Sequence, residues 1–460
     1  MRPRLITLGH LIRWGNASSS MSARLRRRPA GDVWMDSRKV RPGDVFVALR
    51  GEDDDGHTYV EKALAAGAAA AIIARSRLHS FAPSLRPRLI AVDDPLQAVG
   101  RMARAYREKL NIPFIAITGS NGKTTTRRII ASVLRARFTV GETVGNWNNN
   151  IGVPLTILRF RGDERIGVVE MAANHGGEIR PLSHIASPDI AVITNIGYAH
   201  IGNFGSLAKT TDAKFEITSG FRRGMHFCLL NGDDPRLVAR AKRNGYDAVL
   251  YGFSSRCAVR ARDVEVAAAG MTAFSVDGTR FVMPVAGRHF VYNALPAVFL
   301  GRWFGMNDET IAAVLRTVEP DPLRGRIAIK RGVRFIVDCY NANPSSMHSA
   351  IALLCDIAPR GRRAAIVGDM MELGRYATVL HRQVGRRLGE AEVSRVIAVG
   401  RYASEVAAGA AAAGIHAPRI QCAADAGEAL AAARSVMKAG DTVLLKASRA
   451  VKLESVFERF

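Results

Sequence analysis

The densest chemistry in the sequence is the run Thr118-Gly119-Ser120-Asn121-Gly122-Lys123-Thr124-Thr125. It follows a short apolar stretch, residues 114–117, and opens a helical pattern at Lys123. Backbone N–H groups in a loop of this kind converge on phosphate oxygens, and the helix N-terminus adds a favourable dipole. Lys123 can neutralise terminal phosphates, and the Thr124 hydroxyl can ligate magnesium. A strict Walker pattern carries Gly where this chain has Ile117. The bland alternative is a Gly-rich turn with a surface lysine, but strand, loop, Gly-Lys-Thr and helix coincide here as a phosphate loop requires.

Further candidates follow downstream. Glu170, in Val168-Val169-Glu170-Met171, ends an apolar stretch and could hold magnesium, a hard cation that takes oxygen ligands. His200 follows another such stretch, in Thr194-Asn195-Ile196-Gly197-Tyr198-Ala199-His200. A lone His is more often structural, and its place beyond a strand end brings metal ligation into balance with that reading. Lys214 reads, from its own surroundings, as a helical surface lysine. Asn146-Trp147-Asn148-Asn149-Asn150 is an amide cluster suited to a polar or phosphate ligand, although turn chemistry alone also explains it. Asp338-Cys339-Tyr340-Asn341-Ala342-Asn343-Pro344 sets Asp, Tyr and Asn at the end of a strand.

These groups need elements to hold them. Residues 1–110 carry short strands near 33–35 and 45–49 and helices near 60–66 and 96–109. Asn111-Ile112-Pro113 reads as a linker, because Pro biases the preceding residue toward extended structure. In residues 111–321, strands at 114–117, 166–171 and 190–194 alternate with helices, which implies a mostly parallel sheet covered on its faces. Ligands of such sheets bind beyond the carboxyl ends of the strands, so the loops after 117, 169 and 194 share a rim. Pro320-Asp321-Pro322 reads as a second linker. Residues 322–460, with strands at 335–337, 364–367, 396–399 and 443–445 and an Ala-rich helix at 403–413, read as a Rossmann-like unit.

Bulk properties bound the rest. A chain of 460 residues is long enough for about three domains. The 65 Lys+Arg against 41 Asp+Glu leave a net charge of +24, which points to nucleic acid, membrane surfaces or anionic small molecules. Aromatic content of 7% argues against a stacking nucleic-acid surface. The five cysteines form no Cys-x-x-Cys pair and suit a reducing cytoplasm. No apolar run reaches the ~18 residues of a membrane span. The Arg- and Ser-rich start superficially resembles a transit segment, yet residues 5–12 fit the first element of a domain.

Taken together, Gly119 to Thr125, Gly145-Asn146-Trp147-Asn148-Asn149, the Glu170 strand, Ala199-His200 and Asp338 to Pro344 resemble the signature set of the Mur ligase family, in the same order. Asp36-Ser37-Arg38-Lys39-Val40-Arg41-Pro42-Gly43-Asp44 with Asp55-Gly56-His57 resembles the UDP-sugar-binding domain of one branch. Gly368-Asp369-Met370-Met371-Glu372-Leu373-Gly374 and Lys446-Ala447-Ser448-Arg449 resemble its C-terminal domain. The resemblance covers nearly the whole chain.

It implies an α/β, three-domain architecture with a central P-loop-type parallel sheet, and an ATP-dependent, ADP-forming amide ligase that works through an acyl phosphate. The branch implies UDP-muramoyl-tripeptide and D-alanyl-D-alanine as substrates, with two magnesium ions. In that scheme Gly119, Ser120, Asn121, Gly122, Lys123, Thr124 and Thr125 hold the phosphates, and Asn293 meets adenine. Arg326 and Asp338 close onto ATP. Thr124, Glu170, His200 and Lys214 serve the metals, Lys214 matching the family lysine that is carbamylated. Ser37, Arg38 and His57 face the UDP-sugar, while Asn146, Asn149, Tyr340 and Asn341 meet substrate. Departures include Phe290 after Arg288-His289, Phe215 after Lys214, Val337 before Asp338 and Ala447 after Lys446. A cytoplasmic monomer with neither nucleic-acid partner nor membrane span is expected. The rival readings are a folylpolyglutamate-synthase-like ligase and a basic nucleic-acid-binding P-loop protein.

Overall fold

The computed structural model describes residues 6–51, 54–222, 224, 226–267, 269–319, 321–358 and 362–460. Three α/β units follow one another along the chain. The first is a four-stranded parallel sheet of Val33–Trp34, Val45–Val47, Ala70–Ala74 and Leu89–Val92, in sequential order. The N-terminal stretch belongs to it: the helix Leu8–Trp14 is capped by the Thr7 hydroxyl and buries Leu8, Leu11 and Ile12.

Asp94 caps the long helix Pro95–Leu110 by accepting from the Leu96 and Gln97 N–H groups. Pro occupies the first helical position, where a missing N–H costs nothing. The helix ends at Asn111, which is left-handed (φ 46°), and Pro113 follows. Its buried Arg107 donates to Ala186 O (2.7 Å), Ser187 O (3.0 Å) and Asp189 (2.9 Å), fastening the first unit to the second. A continuous apolar cluster runs from Leu8 and Val99 to Phe114 and Ile179, so these two units share one core.

The central sheet has seven parallel strands, in the order Val259–Arg260, Ala248–Gly252, Phe227–Asn231, Ile190–Ile193, Phe114–Thr118, Ile166–Glu170, Val140–Glu142. Phe114–Thr118 lies between Ile190–Ile193 and Ile166–Glu170 and is buried on both faces. That is why it reads as an unbroken apolar run rather than an alternating one. The order reverses at this strand, and an open sheet forms its binding crevice at such a switch point. Four of the seven strands lie outside the three expected from sequence. Val140–Glu142 and Val259–Arg260 are edge pieces too short to carry a periodic signal, and Phe227–Asn231 and Ala248–Gly252 extend the sheet beyond the proposed rim. A separate antiparallel sheet, Arg262–Ala267, Met271–Val276 and Thr279–Met283, precedes the helix Arg288–Trp303.

The third unit is a six-stranded sheet, in the order Arg326–Lys330, Val333–Val337, Thr442–Lys446, Arg363–Gly368, Arg395–Val399, Ile420–Ala423. Only Arg326–Lys330 runs antiparallel. Pro320, part of the expected linker, lies outside the described residues; Asp321 accepts the Leu323 N–H at 3.0 Å, which shapes the turn into the first strand.

Candidate active site

A cavity of about 660 Å³ opens where the central and third units face each other. The loop after Phe114–Thr118 forms its floor. Gly119 (φ 144°) and Gly122 (φ 80°) adopt backbone that side chains avoid. A Cβ on Gly119 would stand 1.9 Å from Thr194 Oγ1, and one on Gly122 would stand 2.5 Å from Asn293 Oδ1. The loop is braced from the neighbouring strand end. Ser120 N–H donates to Asn195 O (2.9 Å), Asn121 N–H to Asn195 Oδ1 (3.0 Å) and the Thr194 hydroxyl to Asn121 O (2.6 Å). Gly122 gives the helix Lys123–Arg135 no side-chain cap. The first-turn N–H groups of a helix have no partner within it, so Lys123, Thr124 and Thr125 present theirs to an external acceptor.

Lys123 curls over the loop, its Nζ donating to Gly119 O (2.8 Å) and Ser120 O (3.3 Å). Burial lowers its pKa, opposed by the charge of Glu170. Glu170 is 1% exposed, and its Oε1 accepts from Thr124 Oγ1 (3.2 Å) and Asn148 Nδ2 (2.8 Å). Behind it, buried Arg127 brings Nε to 3.4 Å from Glu170 Oε2 and pairs with Glu142. In the sequence Asn148 is one member of the amide cluster with no role of its own, and Arg127 carries no signal. Arg127 lies two residues past the phosphate-loop motif on the same helix, and only the tertiary fold turns it toward Glu170.

Among the described residues, no cluster of three or more His, Cys, Asp or Glu is set to hold a metal ion. Magnesium is ordinarily held by one or two protein groups together with phosphate oxygens and water, not by an all-protein cage. The buried Thr124–Glu170 pair, with Glu170 Oε2 lacking a hydrogen-bond donor, fits that pattern. His200, left-handed at φ 56°, also lines the cavity; its Nδ1 contacts Glu372 of the third unit. Burial lowers the His200 pKa and Glu372 opposes the change. Lys214, 2% exposed on the helix Leu207–Phe215, reaches Ala173 O (3.5 Å) and lies 5.1 Å from the centre of the Phe204 ring. Burial first, and the charge of Lys123 second, pull its pKa down to about 7.

Beside the helix start, Asn293 Oδ1 accepts from the Thr126 hydroxyl (3.2 Å) beneath Gly122. Next to it, Asp233 accepts from Phe253 N–H (2.6 Å), Ser254 N–H (3.0 Å) and the Tyr292 hydroxyl (2.9 Å). Burial would raise the Asp233 pKa, but these donors hold it below the usual value. Asp233 is not among the sequence candidates; the local signal for it is an Asp-Asp-Pro run that Gly232 alone separates from the strand Phe227–Asn231.

The facing wall belongs to the third unit. Val337 and Leu445 are register partners on adjacent strands, so Asp338, just past one strand, and Lys446, the last residue of the other, stand side by side. Lys446 Nζ donates to Asp338 Oδ2 (2.6 Å) and Asn341 O (3.0 Å). Asn343 Nδ2 crosses the cleft to Asn121 Oδ1 (2.6 Å). Tyr340 is stacked by the Arg324 guanidinium at 3.8 Å. Arg324 lines the cavity, whereas Arg326 lies two residues on, exposed on the strand Arg326–Lys330.

The remaining sequence candidates lie elsewhere. Asn146 lines the cavity, while the exposed Asn149 accepts the Ile151 and Gly152 N–H groups, as turn chemistry alone would have it. Ser37 and Arg38 form a 3₁₀ turn capped by Asp36, with Arg38 exposed and paired to Asp36 at 2.9 Å. His57 has both ring nitrogens engaged: Nδ1 faces Asp55 Oδ1 (2.6 Å) and Nε2 accepts the Ala74 N–H (3.0 Å). None of these three lines the large cavity.

A phosphate-loop sheet that shares a cleft with a Rossmann-like sheet, behind a third α/β unit, defines a three-domain nucleotide-binding protein. The descriptions that match the chain are the "Mur ligase family, catalytic domain" over residues 32–107, the "Mur ligase middle domain" over 117–301 and the "Mur ligase, glutamate ligase domain" over 325–449. The UDP-N-acetylmuramoyl-tripeptide–D-alanyl-D-alanine ligase of Bacillus subtilis is 36% identical over 429 residues, covering 92% of each chain. A crystal structure of MurF from Acinetobacter baumannii superposes with a TM-score of 0.87 at 28% identity, covering 99% of both chains. MurF from Thermotoga maritima in complex with ADP gives 0.81 at 29%, covering 94% of this chain and 97% of that one. The chain belongs to the Mur ligase family.

Proposed function

We propose that this protein is an ATP-dependent, ADP-forming ligase that joins D-alanyl-D-alanine to UDP-N-acetylmuramoyl-tripeptide in peptidoglycan precursor synthesis. The observation that carries the reading is the uncapped helix start at Lys123, facing Asp338 and Lys446 across one cavity, in a chain 36% identical to a ligase of that name.

The tripeptide carboxylate attacks the γ-phosphorus of ATP, ADP leaves and an acyl phosphate forms. The dipeptide amine then attacks the acyl carbon, and phosphate departs as the amide bond closes. The difficulty is charge, since a carboxylate must approach a polyanion. Lys123 and the N–H groups of the loop lower that repulsion and stabilise the transferring phosphoryl group. Thr124 and Glu170, with His200, would hold magnesium, which neutralises phosphate charge when bound. Lys214, with its pKa near 7, has the neutral amine that carbamate formation requires. Asn293 faces adenine, and Asp338 closes from the third domain, with Arg324 the better-placed arginine beside it. The third domain excludes water from the acyl phosphate. The first domain receives the UDP-sugar near Ser37 and Arg38, while His57 shapes that region through its two bonds. We take the domain boundaries to lie at 110/111 and 321/322, and the protein to act as a cytoplasmic monomer. No helix among the described residues is long and apolar enough to cross a membrane.

The test is ADP release with each substrate omitted in turn. Turnover is expected only with UDP-muramoyl-tripeptide, D-alanyl-D-alanine, ATP and magnesium together. Equal turnover with a glutamate amine donor and a folate acceptor would overturn the assignment.

A further inference from the structure

The metal side of the cavity and the third domain meet at one short helix, Ile201–Phe204. Ile201 is 2% exposed and packs into the apolar cluster of the third domain. Gly202 N–H donates to Glu372 O (3.0 Å), and a Cβ on Gly202 would stand 2.7 Å from Gly374 N. The Tyr376 hydroxyl donates to Gly205 O (2.9 Å) at the far end. Phe204 lies against Lys214, and His200 precedes the helix.

Across this contact Glu372 Oε2 meets His200 Nδ1. Both residues hold left-handed backbone, His200 at φ 56° and Glu372 at φ 62°, a conformation that non-glycine residues adopt at a cost. The loop presenting Glu372 is pinned, with Met370 N–H donating to His381 Nε2 (2.9 Å) and Met371 N–H to Ser448 Oγ (2.9 Å). Glu372 is therefore held by its own domain and aimed at a residue of the other.

We propose that Glu372 is a positioning residue through which seating of the third domain makes His200 competent as a metal ligand. A carboxylate only accepts, so closing this ion-pair contact into a hydrogen bond places the ring proton on Nδ1 and leaves the Nε2 lone pair for the cation. Metal-bound histidines are commonly oriented in this way by a carboxylate on the second nitrogen. Here that carboxylate comes from a different domain, so the complete metal site exists only in the closed molecule. By reciprocity, metal bound with nucleotide favours closure. The inference rests on the reading of His200 as a metal ligand.

The test uses the full-length protein with Mn²⁺ as probe, its binding followed by the free-ion EPR signal in the presence of a non-hydrolysable ATP analogue. Glu372→Ala is expected to weaken Mn²⁺ binding roughly 10–100-fold and to raise the Mg²⁺ concentration for half-maximal ADP release. Glu372→Gln, which keeps an acceptor of the same reach, is expected to recover part of the affinity. Tyr376→Phe loosens the same interface without touching His200 and is expected to bind Mn²⁺ much less weakly than Glu372→Ala. Wild-type affinity in Glu372→Ala, or equal losses in Tyr376→Phe and Glu372→Ala, would overturn the proposal while leaving the ligase reading intact. If His200→Ala itself binds Mn²⁺ as the wild type does, the ligand assignment fails and the proposal with it.

Discussion

Lys123 and Lys214 are both partly or wholly withdrawn from water, yet they are held differently. Among the described residues Lys123 donates hydrogen bonds to carbonyls of its own loop alone. Lys123→Ala is therefore expected to leave the thermal midpoint close to that of the wild type while lowering kcat for ADP release by roughly 10²–10³-fold; calorimetry and the release assay check the two halves separately. Lys214 has its pKa pulled down to about 7, so its neutral fraction grows as pH rises through that value. Only the neutral amine takes up carbon dioxide. Activation by bicarbonate is thus expected to be weak at about pH 6 and strong at about pH 8, and absent in Lys214→Met. The sign for stability follows too. Between about 7 and the unfolded value of ~10.4 the unfolded chain binds the extra proton, so stability rises with pH across that window. Denaturant titrations should show a smaller rise in Lys214→Met.

At the scale of elements, the helix Lys123–Arg135 does two jobs. Its first turn presents N–H groups without a side-chain cap, the arrangement an anion such as phosphate accepts from, and Arg127, on its second turn, holds the carboxylates of Glu142 and Glu170 in place. Arg127 is 4% exposed and also donates to Thr143 O at 2.5 Å. Replacing one partner of a buried charge cluster strands the others, and the loss is typically ~3–5 kcal/mol. Arg127→Met is expected to lower unfolding free energy by about that much, measured by urea denaturation. The phosphate loop itself was legible in the sequence because strand, glycines, lysine and helix are contiguous. Its braces at Thr194 and Asn195 were not, because they arrive from a strand some seventy residues later.

Over the whole molecule, the two interfaces differ in kind. The first and second domains share a continuous apolar core stapled by Arg107, whereas the second and third meet around a polar cavity and smaller apolar contacts, with Ile201 and Ala286 among the buried residues there. Burial of apolar surface resists separation, so motion is expected at the second junction. Gly202 sits in that contact without room for a side chain. Gly202→Val is expected to hold the third domain open, lowering kcat by roughly 10²-fold with little change in affinity for the UDP-sugar substrate. Calorimetric binding beside steady-state kinetics decides this; an equal loss in both would place Gly202 in folding rather than closure.

The phosphate loop, the parallel character of the central sheet and the order of the units were determined by the sequence alone, because each rests on signals within ten or so neighbouring residues. Tertiary structure decided everything that depends on residues distant along the chain. Glu170 became a braced carboxylate only through Arg127 and Asn148, Arg324 rather than Arg326 turned into the cavity, and His57 proved to be engaged at both nitrogens. The pairing of His200 with Glu372 spans 172 positions and two domains (372 less 200). A linear pattern records which groups are present, but which of them meet depends on how whole sheets pack.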